Sequence, residues 1–165
     1  MKLRNLKIDD VPRIVTHLNN PNVTRFLTTR IPQPYRTSDG EAWVFSESNS
    51  GLTKAIEVDR EFVGVIGISI GEYENSRSAE IGYWIAEEFW GLGITSKALS
   101  QMTREVFSGG KIVRIFAPVF SPNKASMRVL EKSGFELEGI FRKSVYKNGK
   151  FFDEHRIIGD RPRFL

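Results

Sequence analysis

Apolar residues recur along this chain at two spacings, and the switches between them mark out its elements. Val11, Ile14, Val15 and Leu18 repeat at three and four, which predicts a helix over residues 9–19 with Asp9 or Asp10 as its cap. Pro12 falls in its first turn, where a missing N–H costs nothing. Residues 2–6 read as a short strand, and residues 20–36, broken by Pro21, Pro32 and Pro34, as loop or short helical turns. Ser38-x-x-Glu41 has the spacing of a capping box and opens a helix to residue 48. Residues 52–58 and 62–70 flank the polar turn Asp59-Arg60-Glu61, a β-hairpin signal. A polar turn at 75–78 precedes a strand at 79–86. Ile94, Ala98, Met102 and Val106 then repeat every fourth residue with Leu99 beside them, a helix stopped by Gly109-Gly110. Residues 111–120 read as a strand and 123–133 as a helix ended by Gly134. Residues 135–146 and 151–159 flank Asn148-Gly149, the strongest hairpin signal in the chain.

Strands and helices thus alternate, which predicts an α/β class with no repeats and no low-complexity linker. The length of 165 residues fits one domain, because a domain of roughly 150 residues buries about 70% of its unfolded surface. The absence of cysteine excludes disulfides, thiolate metal sites and a cysteine nucleophile, and His17 and His155 are too few to form a metal site alone. Residues 1–4 open into structured sequence with no apolar leader core, and no run of 18 apolar residues occurs, so a cytoplasmic protein with no membrane partner is expected. Without a secretory signal, the sequon Asn22-Val23-Thr24 reads as a chance match. The net charge of +4 and pI near 9.4 come without basic runs interleaved with aromatics. They therefore read as a solvated surface and a modest attraction for anions, with no direct nucleic-acid binding expected.

The candidate chemistry lies in Ala79-Glu80-Ile81-Gly82-Tyr83-Trp84-Ile85-Ala86-Glu87-Glu88-Phe89-Trp90-Gly91-Leu92-Gly93-Ile94-Thr95-Ser96, where an apolar strand passes through a glycine turn into an amphipathic helix. Two glycines two apart let several backbone N–H groups point at one spot, and the helix adds the positive end of its dipole, so a phosphate or pyrophosphate is the natural guest. A dinucleotide fingerprint fails because Ser96 stands at the third glycine and Ile115-Phe116 where an acid belongs. A Walker loop fails on spacing and on the missing Lys-Ser/Thr.

Trp90-Gly91-Leu92-Gly93-Ile94-Thr95 resembles the acetyl-coenzyme A loop of the GNAT superfamily of N-acetyltransferases, Gln/Arg-x-x-Gly-x-Gly/Ala, with Gly93 as the invariant turn residue and Trp90 and Thr95 departing at the two ends. The Trp-Gly-x-Gly form is similar to the RimJ/RimL branch, which acetylates ribosomal-protein N-termini. Ser121-Pro122-Asn123-Lys124-Ala125-Ser126 and the following Leu130-Glu131-Lys132-Ser133-Gly134-Phe135 resemble a second signature of that branch. Glu138-Gly139, Arg142, Lys147-Asn148-Gly149-Lys150 and Asp153 resemble its closing hairpin.

The resemblance implies an α/β (α+β) GNAT fold: a mixed, mostly antiparallel sheet of about seven strands flanked by about four helices, splayed between the fourth and fifth strands. It also implies an acetyl-CoA-dependent N-acetyltransferase, acting on a protein N-terminus or a small-molecule amine as a monomer or homodimer. Trp90, Gly91, Leu92, Gly93, Ile94 and Thr95 would hold the coenzyme, as would Asn123, Ser126 and the backbone of Trp84 and Ile85. Glu80, on the strand before the loop, is the candidate base, against an alternative as a surface or salt-bridged strand carboxylate or replacement by a water chain. Leu130 stands where many members carry a tyrosine acid, which makes Ser126 the default partner of the leaving thiolate. Asn123 is equally a favoured helix N-cap. Trp43, Phe45 and Phe26 read as core or lid, and His155 as structural or exposed. With no cysteine, direct attack in a ternary complex is the simplest route. The functional alternative is a catalytically inactive acyl-CoA binding or sensing module on the same fold.

Overall fold

A computed structural model of the chain describes residues 1–48, 50 and 52–161. Its strands are β1 Lys2–Arg4, β2 Thr53–Val58, β3 Glu61–Ile70, β4 Ser78–Ile85, β5 Arg114–Phe120, β6 Glu136–Lys147 and β7 Lys150–Asp160. Its helices are α1 Val11–Leu18, α2 Pro21–Thr24, α3 Thr37–Glu47, α4 Ile94–Ser108 and α5 Lys124–Lys132. The strands are hydrogen-bonded in the order β1-β2-β3-β4-β5-β7-β6. The β1–β2, β2–β3, β5–β7 and β6–β7 pairs are antiparallel, while β4 pairs with β5 in parallel. This is the mixed sheet of seven strands that the resemblance implied. The additional helix is the four-residue α2 inside the proline-rich loop.

The chain divides into two compact units, one of residues 1–67 and 83–98, the other of residues 68–82 and those from 99 on. In the first unit, Leu6, Val11, Ile14, Leu18, Tyr35, Val44, Phe62 and Val65 form a buried cluster against which Trp43 and Trp84 pack. The apolar face of α1 is therefore the core face its spacing predicted. Phe45, in contrast, points into solvent at 84% exposure and is not part of the core. At the hairpin, Asp59 and Arg60 both take positive φ, so the turn has two residues and Glu61 already belongs to β3.

Two capping expectations need correction. Asp10 occupies the cap position of α1 but makes no cap hydrogen bond. Its buried carboxylate accepts from the Lys7 N–H at 2.9 Å and pairs in fork geometry with Arg4 at 2.7 and 2.8 Å. A buried carboxylate gains more from a bidentate guanidinium than from one cap bond. On α3, the Asp39 carboxylate accepts from the Arg36 N–H at 2.8 Å, so the helix starts at Thr37 rather than from a Ser38–Glu41 box.

The second unit buries Ile115, Ala117 and Val119 on one face of β5, Ile157 on β7, and Met127 and Leu130 on α5. On α4 the buried stripe runs through Ala98, Leu99, Met102 and Thr103 to Phe107, with Val106 only half-buried. Four residues exceed one turn by about 40°, so a strict every-fourth pattern drifts off the core face, and the contact moves one residue on. Asn148 and Gly149 both take positive φ at the β6–β7 turn, as their sequence signalled.

Candidate active site

The glycine loop is built within the first unit. Strand β4 ends at Ile85, and the Ala86 N–H donates to the Val63 carbonyl at 2.8 Å, fixing the exit of the chain. A helical turn follows at Glu87–Phe89, closed by Phe89 N–H to Ala86 C=O at 3.0 Å and Trp90 N–H to Glu87 C=O at 3.1 Å. Glu87 is held by two amides from around α2, Asn20 Nδ2 at 2.7 Å and Asn22 Nδ2 at 2.9 Å. Trp90 turns back on the strand, its indole Nε1 donating to the Ile85 carbonyl at 2.9 Å. The residue that departs from the family's first loop position thus braces the loop against β4.

Gly91 and Gly93 lie at φ +76° and +73°, in the left-handed region that an added Cβ disfavours. A Cβ at either position would meet nothing within 4 Å. Their backbone therefore borders open space, where an anion can approach without displacing protein atoms. Helix α4 begins at Ile94, and its first intrahelical acceptor is the Gly93 carbonyl, which takes the Lys97 N–H at 3.2 Å. The N–H groups of the first turn have no intrahelical acceptor, and they carry the positive end of the dipole. Ile94 is buried and anchors the helix start, while Leu92 and Trp90 keep substantial exposure.

Strand β4 comes within unusually close reach of β3. A Cβ on Gly64 would lie 2.8 Å from Ile85 Cγ1 and 2.9 Å from Ile85 Cα, and nearer still to the Trp84 carbonyl oxygen. Glycine at 64 thus sets the position of the strand end carrying Trp84 and Ile85. The Trp84 indole is half-buried, tilted against Phe62 at 5.8 Å and His17 at 6.3 Å between ring centroids. Its side chain is core, which leaves its backbone for any ligand role.

Glu80, Asn123 and Ser126 belong to the second unit. The register pairs of β4 with β5 are Ser78↔Arg114, Ala79↔Ile115 and Glu80↔Phe116, so Glu80 stands at the last of them. Its side chain keeps contact with solvent and joins no ion pair among the described residues. Partial burial raises its pKa above the usual carboxylate value and the charge of Glu154 raises it further, against a smaller opposing effect of Arg156. Among the described residues the salt-bridged form of the alternative for Glu80 has no partner, whereas the exposure of Glu80 agrees with its surface form. Glu154 pairs with Arg156 at 2.8 Å, and the Arg156 guanidinium stacks on Phe116 at 5.1 Å and on Phe141 at 4.4 Å. Asn123 is the N-cap of α5: its Oδ1 accepts the Ser126 N–H at 3.2 Å, which places Ser126 in the first turn, half-buried. Leu130 is wholly buried, so no polar group replaces the absent tyrosine at that position. His155 is half-buried in β7. Among the described residues no cluster of three or more His, Cys, Asp or Glu could hold a metal, and no helix is long and apolar enough to cross a membrane.

Sequence reasoning did not find the anchors of Glu87 or the modulation of Glu80 by Glu154 and Arg156. The amide and acid partners at Glu87 are 65 and 67 residues apart in the chain, and no local pattern encodes such a pair.

The comparisons with known proteins place the chain in a family. The description "Acetyltransferase (GNAT) domain" matches residues 1–136, and the chain belongs to that family, the GNAT acetyltransferases. It is similar to the uncharacterized N-acetyltransferase YoaA of Bacillus subtilis, with 31% identity over 98% of this chain and 93% of that protein. It is also similar to the ribosomal-protein-serine acetyltransferase of Escherichia coli, 33% identical over 56% of this chain and 51% of that one. Among solved structures it resembles RimL, a ribosomal L7/L12 alpha-N-protein acetyltransferase in complex with coenzyme A, with TM-score 0.83 and 25% identity over 96% of this chain and 92% of that one. The protein is an acetyl-CoA-dependent N-acetyltransferase.

Proposed function

We propose that the protein transfers the acetyl group of acetyl-CoA to a primary amine, a protein N-terminus or a small-molecule amine, by direct attack in a ternary complex. The observation that carries the catalytic assignment is Glu80: a solvent-accessible carboxylate on β4, in no ion pair among the described residues, with a pKa raised by partial burial and by Glu154. Raising a carboxylate toward the working pH is what a general base needs. In this reading the amine nitrogen attacks the thioester carbon and gives its proton to Glu80, directly or through one water. The carbon–sulfur bond then breaks, and the departing thiolate accepts a hydrogen bond from the Ser126 hydroxyl and takes its proton from water. The coenzyme phosphates sit on the backbone from Trp90 to Thr95, while Asn123 and the backbone of Trp84 and Ile85 meet the pantetheine arm. The open space at both loop glycines fits this use.

Similarity to ribosomal-protein acetyltransferases supports a protein N-terminus as acceptor. The family match runs through parts of both compact units, which supports one acetyltransferase domain. Acetyl transfer measured on N-terminal peptides, polyamines and other small amines tests the proposal. Turnover on any of them, lost in Glu80→Gln, is expected. Coenzyme binding without turnover on the whole panel would return the binding-module alternative.

A further inference from the structure

A buried imidazole on α1 has no part in the chemistry above. His17 is 3% exposed, and its Nε2 is buried without a hydrogen-bond partner among the described residues. That nitrogen lies 3.8 Å from Glu88 Oε1, too far for a hydrogen bond and close enough for a strong charge interaction. Arg13, one turn earlier on α1, reaches the same oxygen at 3.5 Å and also pairs with Glu61 at the start of β3. Glu88 belongs to the turn Glu87–Phe89, which leads directly into Trp90 and Gly91. One carboxylate of the turn therefore meets two side chains of α1, a fixed cation and a titratable ring.

We propose that His17 is a positioning residue for the coenzyme loop: while neutral it lets Arg13 hold Glu88 and the turn in place, and its protonation breaks that hold and weakens coenzyme binding. This rests on the assignment of residues 90–95 as the coenzyme loop. A cation at His17 cannot stay both buried and unpaired. It either draws Glu88 off Arg13 or leaves its packing against Trp84, and each movement displaces the turn. The charged groups that face the ring are Glu88 from the turn, Arg13 from α1 and Glu61 from β3. Burial lowers the His17 pKa more than Glu88 and Glu61 raise it, with Arg13 lowering it further. The anchored arrangement thus binds fewer protons than a loosened one. It is fully favoured above about pH 6.5, the ordinary histidine value, and is lost progressively as the pH falls below it.

Coenzyme A affinity measured by calorimetry between about pH 8 and pH 5.5 on wild type, His17→Gln and Glu88→Gln tests this, the readout being the difference between profiles, since the coenzyme's own phosphate also titrates. Wild type should lose about threefold or more affinity beyond the loss seen in either variant, the limit for one proton being about tenfold per pH unit. Coupling is reciprocal, so saturating coenzyme A must shift the His17 ring titration, followed by NMR on the wild-type protein, to lower pH. Superimposable affinity profiles, or a His17 titration indifferent to coenzyme, would overturn the proposal. If His17→Gln does not fold, the wild-type titration decides alone. Gly93→Val measured alongside separates the two readings. Retained affinity there removes the loop assignment, whereas lost affinity there with an unmoved His17 titration removes the positioning role only.

Discussion

Replacing Gly93 by valine separates ligand binding from folding, because the two effects have different physical origins at this position. Gly93 sits at φ +73°, and a Cβ placed there meets nothing within 4 Å, so the protein itself offers no clash. The folding cost is the left-handed backbone of a β-branched residue, about 1–3 kcal/mol. That is a fraction of a total stability of roughly 5–15 kcal/mol, and at ~2–4 °C per kcal/mol the melting temperature should fall by about 2–12 °C. The loss of binding should be larger. The valine methyls project into the open space beside the loop, where the phosphate is assigned, and bar the oxygens from the backbone donors. Losing two charge-assisted hydrogen bonds of about 1.5–3 kcal/mol each weakens coenzyme A by about 10²-fold or more. Calorimetric titration of the folded variant, its fold checked by circular dichroism and its melting curve, is the assay. A coenzyme affinity within about threefold of wild type would refute the placement of the phosphates on this loop.

Glu80→Gln should slow turnover by roughly 10²-fold or more, with partial recovery at high pH and unchanged acetyl-CoA binding. Because Glu80 joins no ion pair among the described residues and burial disfavours its charge, the melting temperature at neutral pH should not fall, and wild-type turnover in this variant would exclude Glu80 as the base. Removing the neighbouring charge in Glu154→Gln lowers the Glu80 pKa, so the acid limb of the kcat profile should move to lower pH; a limb that stays in place or moves upward contradicts the coupling. Ser126→Ala should lower kcat with coenzyme affinity nearly intact, as the proposed contact of its hydroxyl with the departing sulfur requires, and full activity would leave the thiolate to solvent. Gly64→Ala should cost about 3 kcal/mol, read as a fall in denaturation midpoint, since the added methyl meets the backbone of Trp84 and Ile85, which cannot rotate away; an undiminished midpoint would mean that β3 and β4 can part without loss.

Local patterning determined most of the elements, because a strand, a helix face or a two-residue turn is specified by neighbours in sequence. The Asn148-Gly149 turn, the stop of α4 at Gly109-Gly110 and the Asn123 cap of α5 all stand where their residues put them. The glycine turn was legible for the same reason: its two positive-φ residues and the helix behind them are contiguous. Tertiary structure decided what needed distant partners. Asp10 serves Arg4 and the Lys7 N–H instead of capping α1, since a guanidinium brought in by β1 holds its carboxylate there. Phe45 is exposed although its type suggests a core, since α3 turns that face outward. The pKa of Glu80 is raised first by burial and then by Glu154, against a smaller effect of Arg156, both more than 70 residues further on. The clamp on Glu87 and Glu88 depends on side chains of α1 and α2, also remote in sequence. Sequence periodicity carries backbone geometry over a few residues, whereas the electrostatics and bracing of a site come from side chains that only the folded chain brings together.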